Sequence, residues 1–153
     1  MRNSIRKSLS SKYHRFVKRG ISGITASSRV LPDFIIGGTV RSGSTSLYYN
    51  ICEHPSVLEA SYDEIGFFDS NYQLGMEWYR SMFPKQKEMD EVRNSTGFAI
   101  TGEDTPFYFW KKEVIERILK NLPNIKIILI FRNPVDRAYS NYNLGVRTNT
   151  EKL

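Results

Sequence analysis

Apolar positions in this chain fall into short continuous runs, and the stretches between them carry apolar residues at helical spacing. DFIIGG, residues 33–38, reads as a buried strand ending in glycines. TSLYYNICEHP, 45–55, follows as a helix with Leu47, Ile51 and Tyr48 on one face and Pro55 closing it. Residues 56–72 combine a short strand with an acidic and aromatic segment, and GMEWYRSMFP, 75–84, is a short helix ended by Pro84. KQKEMDEVRNST, 85–96, is the most polar stretch and is expected to be a surface excursion. GFAITGEDTP, 97–106, reads as a second buried strand running into a polar turn. KEVIERILKNLP, 112–123, places Val114, Ile118 and Leu122 on one helical face, and IKIILIF, 125–131, is the clearest strand. NPVDRAYSNYNLG, 133–145, is a helix with Asn133 as N-cap, Pro134 at its first position and Gly145 near its end. Continuous apolar strands alternating with helices predict an α/β fold, a parallel sheet covered by helices on both faces. Right-handed crossovers then bring the glycine loop and FRNP, 131–134, to the carboxyl edge of the sheet.

Charge divides the chain in two. Residues 1–30 hold eight Lys or Arg and no Asp or Glu; of the 22 basic and 16 acidic residues in the whole chain, fourteen and sixteen remain for 31–153. The high net charge therefore belongs to an N-terminal arm, 1–30, and the domain at 31–153 is nearly neutral, which removes the global case for nucleic-acid binding. In the arm Ile5, Leu9, Tyr13, Phe16, Val17, Ile21 and Ile24 recur at helical spacing between basic residues. That pattern fits a helix lying on a membrane surface through residues 1–28, an organelle-targeting segment, or a helix packed on the domain with a solvated basic face. No apolar run reaches the ~20 residues of a membrane span and no secretory segment is present, so the expected location is cytoplasmic, with peripheral membrane contact compatible. A composition of 40% hydrophobic and 13% aromatic residues predicts a globular domain. The single cysteine, Cys52, reads as a small apolar residue of the first helix, and His54 as a cap at its end. Two histidines and one cysteine without clustered spacing predict no metal site.

The candidate chemistry lies in GGTVRSGSTS, 37–46. Gly38, four residues, Gly43, then Ser44 and Thr45 follow the spacing of a phosphate-binding P-loop, except that Ser44 stands in place of lysine. Backbone N–H groups of residues 41–45 and the following helix N-terminus are expected to face one concavity. Ser42, Ser44 and Thr45 add hydroxyls and Arg41 a fixed positive charge. Without the lysine that reaches β- and γ-phosphates, the loop suits a single 5′-phosphate or a ligand with another charged group beyond it. Arg132, at the end of the clearest strand, and Ser140, two turns into the next helix, form a second anion-site candidate. Arg132 as a surface ion-pair partner and Ser140 as a surface hydroxyl are the bland alternatives.

Taken together, IIGGTVRSGSTSLYYNICEHP (35–55) and IFRNPVDRAYSNY (130–142) resemble the sulfotransferases that use 3′-phosphoadenosine-5′-phosphosulfate, in particular the carbohydrate-type and bacterial or archaeal members. The first is similar to that family's 5′-phosphosulfate loop. The second satisfies its 3′-phosphate pattern R-[ND]-P-x-x-R-x-x-S-x-Y through Arg132, Asn133, Pro134, Arg137, Ser140 and Tyr142. EIGFFD (64–69), GMEWYRSMFP and GEDTPFYF (102–109) are similar to further family segments, so the resemblance spans residues 33–145. It implies a P-loop-like α/β fold and a sulfuryl donor carrying one 5′-phosphate and a separate 3′-phosphate. It implies Arg41, Ser42, Gly43, Ser44, Thr45 and Ser46 at the 5′ end of the donor and Arg132 with Ser140 at its 3′-phosphate. Arg41 stands where many members carry a catalytic lysine, Glu64 at the candidate general base, and Asp104 where some carbohydrate-type members have a lysine contacting the donor. The implied acceptor is a hydroxyl or amine of a small molecule, glycan or lipid, and no metal is required. Members continue beyond a point equivalent to Leu153, so the chain is expected to be the N-terminal part of the domain. Two other classes stay open. One is a variant nucleotide kinase or NTPase, against which the missing lysine and the lack of a clear strand-borne Asp for Mg²⁺ count. The other is a non-catalytic, membrane-associated nucleotide-binding module.

Overall fold

The computed structural model describes residues 26–148 and 150, so the amphipathic arm of residues 1–25 lies outside the described part. Four strands, β1 (Phe34–Ile36), β2 (Val57–Leu58), β3 (Ile100–Asp104) and β4 (Lys126–Ile128), form one parallel sheet in the order β2-β3-β1-β4. Among the described residues five helices accompany it: α1 (Ser44–Cys52), α2 (Gly75–Arg80), α3 (Gln86–Thr96), α4 (Lys112–Asn121) and α5 (Pro134–Arg147). Short 3₁₀ turns occur at Ala26–Ser28, Tyr72–Leu74 and Pro106–Trp110.

The pleat of β1 divides the core. Ile35 points to one face and packs among Phe67, Phe68, Tyr79, Phe83, Tyr108 and the apolar stripe of α4. Phe34 and Ile36 point to the other, against Tyr48 of α1. All three β1 residues are buried, as a central parallel strand requires. The stripe expected on α4 is the buried one: Val114, Ile118 and Leu122 are all at most 6% exposed. Tyr48 ties α1 to the sheet, its hydroxyl donating to the Gly102 carbonyl at 3.2 Å and accepting from the Ala60 N–H at 2.8 Å. On α1 it is Tyr48 that is buried, with Leu47 and Ile51 beside it only half-buried.

Residues 85–96 lie at the surface as expected, and they do so as a helix, α3, three turns long with Met89 buried. Its start is fixed by the Glu88 carboxylate accepting from the Lys85 N–H at 2.6 Å, and its end by Gly97 at φ 89°. One buried anchor leaves little periodicity to read, and good helix formers supply the rest. IKIILIF does hold a strand, shorter than the apolar run. Only Lys126–Ile128 form the ladder, they lie at the edge of the described sheet, and Leu129 and Phe131 beyond them are 44% and 71% exposed. The central strands are β1 and β3.

Past Ile36 the chain leaves the ladder gradually. Gly37 N–H donates to the Ile128 carbonyl at 3.0 Å and Thr39 N–H to the Ile130 carbonyl at 3.2 Å. Between them Gly38 lies so close to its neighbour that a Cβ there would sit 2.8 Å from the Ile130 oxygen and 2.9 Å from its nitrogen. Backbone cannot yield as a side-chain tip can. Gly38→Ala is therefore expected to destabilise the fold by about 1–3 kcal/mol, read as a lower urea midpoint at unchanged slope; an unchanged midpoint would show that the loop is not wedged against Ile130.

Candidate functional site

The sharp turn out of β1 feeds α1 through Gly43, whose φ of 98° is a left-handed conformation suited to glycine. Gly43 offers no side-chain cap, and the first intrahelical bond runs from Leu47 N–H to the Gly43 carbonyl at 2.9 Å. The first-turn N–H groups of Ser44, Thr45 and Ser46 are thus presented at an uncapped, partially positive helix end. At the carboxyl end of the neighbouring strand, Asn133 caps α5 by accepting from the Val135 N–H at 2.9 Å. This places Arg132 before the helix and Ser140 within it.

These elements enclose a cleft of about 390 Å³. Its wall includes Arg41, Gly43, Ser44, Thr45, Ser46, Glu64, Arg132 and Ser140, eight of the nine residues expected at the donor or as base. Arg41 Nε donates to Ser140 Oγ at 3.2 Å, and Arg132 donates to the Arg41 carbonyl at 3.4 Å. Neither guanidinium forms an ion pair with a described residue; the ion pairs found lie on α3 and α4. Ser42 is the exception. Its hydroxyl hydrogen-bonds that of Thr39 and its N–H donates to the Thr39 carbonyl at 3.1 Å, so it closes the turn and is not on the cleft wall. The expectation that every N–H of 41–45 faces one concavity fails at this residue, because a turn this tight uses one of its own donors.

Arg41 (φ 68°) and Glu64 (φ 47°) are the only non-glycine residues with positive φ among the described residues, and both line the cleft. Such conformations cost about 1–3 kcal/mol each and persist where surrounding structure imposes them. Glu64 is open to the cleft, yet the protein mass around it, and then the neighbouring Asp63, hold its carboxyl above the ordinary range. Tyr49 Oη donates to Asp63 at 2.6 Å.

Sequence reasoning treated Asp104 only as a departure from a family pattern. It ends β3, in register with Ile36 of β1, and is 1% exposed. Both its carboxyl oxygens are buried without a partner of hydrogen-bond geometry. The Thr45 hydroxyl and the Glu64 main chain still lie near enough to favour ionisation; burial outweighs them and pushes the group up to about 6. An acidic residue therefore does end an apolar strand beside the loop, contrary to one argument used against the kinase reading. The lysine position of a kinase loop, by contrast, holds Ser44, which is buried. Next to Asp104, Glu103 faces the other side of the sheet. It accepts from Tyr79 Oη at 2.6 Å, Thr105 Oγ1 at 2.8 Å and Tyr108 Oη at 3.2 Å, and burial pushes it up to about 7. His54 takes its expected terminal place, its Nδ1 accepting from the Ser56 N–H at 3.2 Å just past α1. Burial pushes the Cys52 thiol up to about 11, which suits a packing residue more than a nucleophile. Phe107 and Pro106 also line the cleft; no residue-type signal in the sequence distinguished them from core residues.

Known proteins match this chain in sequence and in fold. Residues 31–152 match the sulfotransferase domain. The chain is 36% identical over 117 residues to the membrane-associated sulfotransferase kil1 of Dictyostelium discoideum, covering 76% of this chain and 24% of that protein. It is 40% identical over 114 residues to human heparan sulfate glucosamine 3-O-sulfotransferase 5, covering 73% and 30%. The structure matches a crystal structure of a sulfotransferase from Alicyclobacillus acidocaldarius with a TM-score of 0.60 and 28% identity, over 81% of this chain and 53% of that one. The chain thus spans less than a third of the length of either of these two curated relatives.

The two buried acids make stability depend on pH in a definite direction. Their folded-state values, about 6 for Asp104 and about 7 for Glu103, lie above the ordinary carboxyl range. The folded protein then binds more protons than the unfolded chain, so the stability they contribute is present at acid pH and lost as pH rises through these values. Thermal unfolding followed by circular dichroism should show the melting temperature falling between about pH 5 and pH 8, and Asp104→Asn should flatten the lower part of that fall. A melting temperature that rises across this window would contradict the burial of both groups.

Proposed function

Because the chain belongs to the sulfotransferase-domain family, we propose that it binds 3′-phosphoadenosine-5′-phosphosulfate and serves transfer of its sulfuryl group to a hydroxyl or amine of a glycan, lipid or small molecule. The observation that carries this reading is the contact of Arg41 with Ser140, which joins the loop after β1 to the helix after β4 at one cleft. A donor with a 5′-phosphosulfate and a separate 3′-phosphate needs two anion sites at a fixed separation on one surface. An uncapped helix end with Arg41, and Arg132 with Ser140, supply two. No orphaned γ-phosphate subsite is needed, in keeping with serine at position 44.

In this reading the first-turn N–H groups of α1, with the hydroxyls of Ser44, Thr45 and Ser46, hold the 5′ end of the donor. Ser42 supports the turn that aims them. Arg132 and Ser140 hold the 3′-phosphate. Glu64 accepts the acceptor's proton; its raised proton affinity makes it a better base near neutrality than an ordinary carboxylate. Arg41, always ionised, stabilises charge on the bridging oxygen as the sulfur–oxygen bond breaks, and it does so without giving up a proton. Catalysis then consists of in-line positioning and electrostatics.

The reading is tested by calorimetry with 3′-phosphoadenosine-5′-phosphate against adenosine 5′-phosphate and ATP. We expect the bisphosphate to bind most tightly and Arg132→Ala to remove its advantage, a loss on the order of tenfold or more for one charge-assisted contact. A preference for ATP would favour a nucleotide kinase instead. The likeness to a protein named as membrane-associated, together with the acid-free basic segment of residues 1–28, supports peripheral membrane contact by the arm. No helix among the described residues is long and apolar enough to cross a membrane. Sedimentation with anionic liposomes is expected to require residues 1–28 and to survive Arg41→Ala; co-sedimentation that persists without the arm would refute the assignment.

A further inference from the structure

We infer that Glu103 is a positioning residue for Glu64: through the hydroxyls of Thr105 and Tyr108 it fixes the main chain that carries Glu64 on the cleft wall. That Glu64 serves as the base rests on the function proposed above; the placement of its carrier rests on contacts within the fold. Glu103 is wholly buried and accepts from Tyr79 Oη at 2.6 Å, Thr105 Oγ1 at 2.8 Å and Tyr108 Oη at 3.2 Å. Two of these hydroxyls go on to the segment that follows Glu64. Thr105 Oγ1 accepts from the Gly66 N–H at 3.2 Å. Tyr108 Oη accepts from the Phe67 N–H at 2.8 Å and the Phe68 N–H at 3.3 Å. Three consecutive N–H groups thus end on two hydroxyls, and both hydroxyls end on one carboxylate.

The chemistry of a hydroxyl explains why the carboxylate matters. A hydroxyl has one proton to give and lone pairs to offer. Where Glu103 takes that proton, the lone pairs are left facing the N–H groups. Without a strong acceptor behind it, the proton is free to turn toward the same N–H groups, and the pairing fails. An ionised carboxylate is an acceptor only, with two oxygens for its donors, and it binds them more strongly than a neutral group does. An amide at position 103 would turn its NH₂ toward one of the hydroxyls. Phe67 and Phe68 are buried, so an N–H deprived of its acceptor there meets no water and is costly.

The segment needs such a hold. Its backbone is left-handed twice within three residues, at Glu64 (φ 47°) and Gly66 (φ 59°), and a glutamate keeps that conformation only where its surroundings impose it. Apolar packing of Phe67 and Phe68 is non-directional and does not by itself orient the main chain. The carbonyls of the segment are held elsewhere. Ile65 O accepts from Asn71 Nδ2 at 3.0 Å, Gly66 O from the Ser70 and Asn71 N–H groups at 3.2 and 3.1 Å, and Phe68 O from Arg117 of α4 at 2.8 Å. It is the N–H side that ties the segment to the end of β3, and that side runs through Glu103.

The test is NMR spectroscopy of the full chain without donor. Amide hydrogen exchange at residues 66–68 and the titration of the Glu64 carboxyl carbon are compared in the unmodified protein, Glu103→Gln, Thr105→Val and Thr101→Val. Thr101 is a buried residue of the same strand whose hydroxyl donates to the Leu58 carbonyl at 2.7 Å, outside the relay, so it controls for general loss of stability. We expect Glu103→Gln to speed exchange at Gly66, Phe67 and Phe68 by about tenfold beyond any change at Ile35 and Ile118, and Thr105→Val to do so at Gly66. The Glu64 midpoint, held up by the protein mass around it and then by Asp63, should fall toward the ordinary carboxyl range in both, because a loosened segment admits water to the carboxyl. Asp104, the other acid facing it, is the same in every variant. Thr101→Val should leave the midpoint in place. Thr105→Val keeps the charge of Glu103, so a midpoint that falls with Glu103→Gln alone would be an effect of charge and would overturn the inference. If Glu103→Gln does not fold, Thr105→Val decides by itself. Exchange that quickens evenly through the sheet with an unmoved Glu64 midpoint would make Glu103 a structural strut and refute its positioning role. None of these readouts needs the donor. An unmodified protein that fails to bind 3′-phosphoadenosine-5′-phosphate would therefore overturn the proposed function and leave the placement of Glu64 by Glu103 standing.

Discussion

The close passage of Gly38 over Ile130 governs the geometry of this molecule. The main chain of the loop after β1 continues to hydrogen-bond the strand that leads to Arg132, through Gly37 and Thr39, and only a residue without a side chain fits between. The loop that opens α1 and the segment that opens α5 are thereby held in fixed relation by backbone alone. Arg41 and Arg132 reach one cleft because their carriers are bonded to each other upstream of it, not because the side chains attract. Two cations of like sign would otherwise drift apart.

Around this constraint the site concentrates unfavourable local states. Two non-glycine residues adopt left-handed conformations, an arginine and a glutamate on the same wall, and a carboxylate is buried without a partner beside them. The remainder of the described structure is conventional by comparison: aromatic packing around Phe67, Tyr79 and Tyr108, a helix with a clean apolar stripe, and ion pairs only along exposed helix surfaces. Clustering of strained backbone at one cleft, with a buried acid next to it, is the physical mark of a place shaped for something other than stability.

Much of this could be read before any coordinates. DFIIGG followed by a helix announces itself because a continuous apolar run, two glycines and a helical stripe each carry an independent signal. Asn133 and Pro134 likewise define a helix start by chemistry that acts within a few residues. What escaped was non-local. Whether IKIILIF is central or peripheral depends on strand order, which no run of residues encodes. Residues 85–96 hid a helix because only Met89 is buried, and one anchor makes no period. Ser42 looked like its neighbours by composition, and only the turn shows that its donors are consumed by Thr39. The burial of Asp104 needed the sheet: its sequence neighbours are polar, while its spatial neighbours are Ile36, Thr45 and Tyr48.

The pair Glu103 and Asp104 carries a consequence beyond this one chain. Adjacent residues of a strand face opposite ways, so the two acids live in different rooms: one caged by tyrosine and threonine hydroxyls, the other behind the loop that follows β1. The cage of the first is part of what holds α2 and the Pro106–Trp110 turn to the sheet, and its residues are committed to one another. The second answers instead to the Thr45 hydroxyl and the Glu64 main chain. A change at position 104 is consequently felt on the side of the sheet that carries the loop and α1, while the hydroxyl cage one residue away belongs to the opposite face.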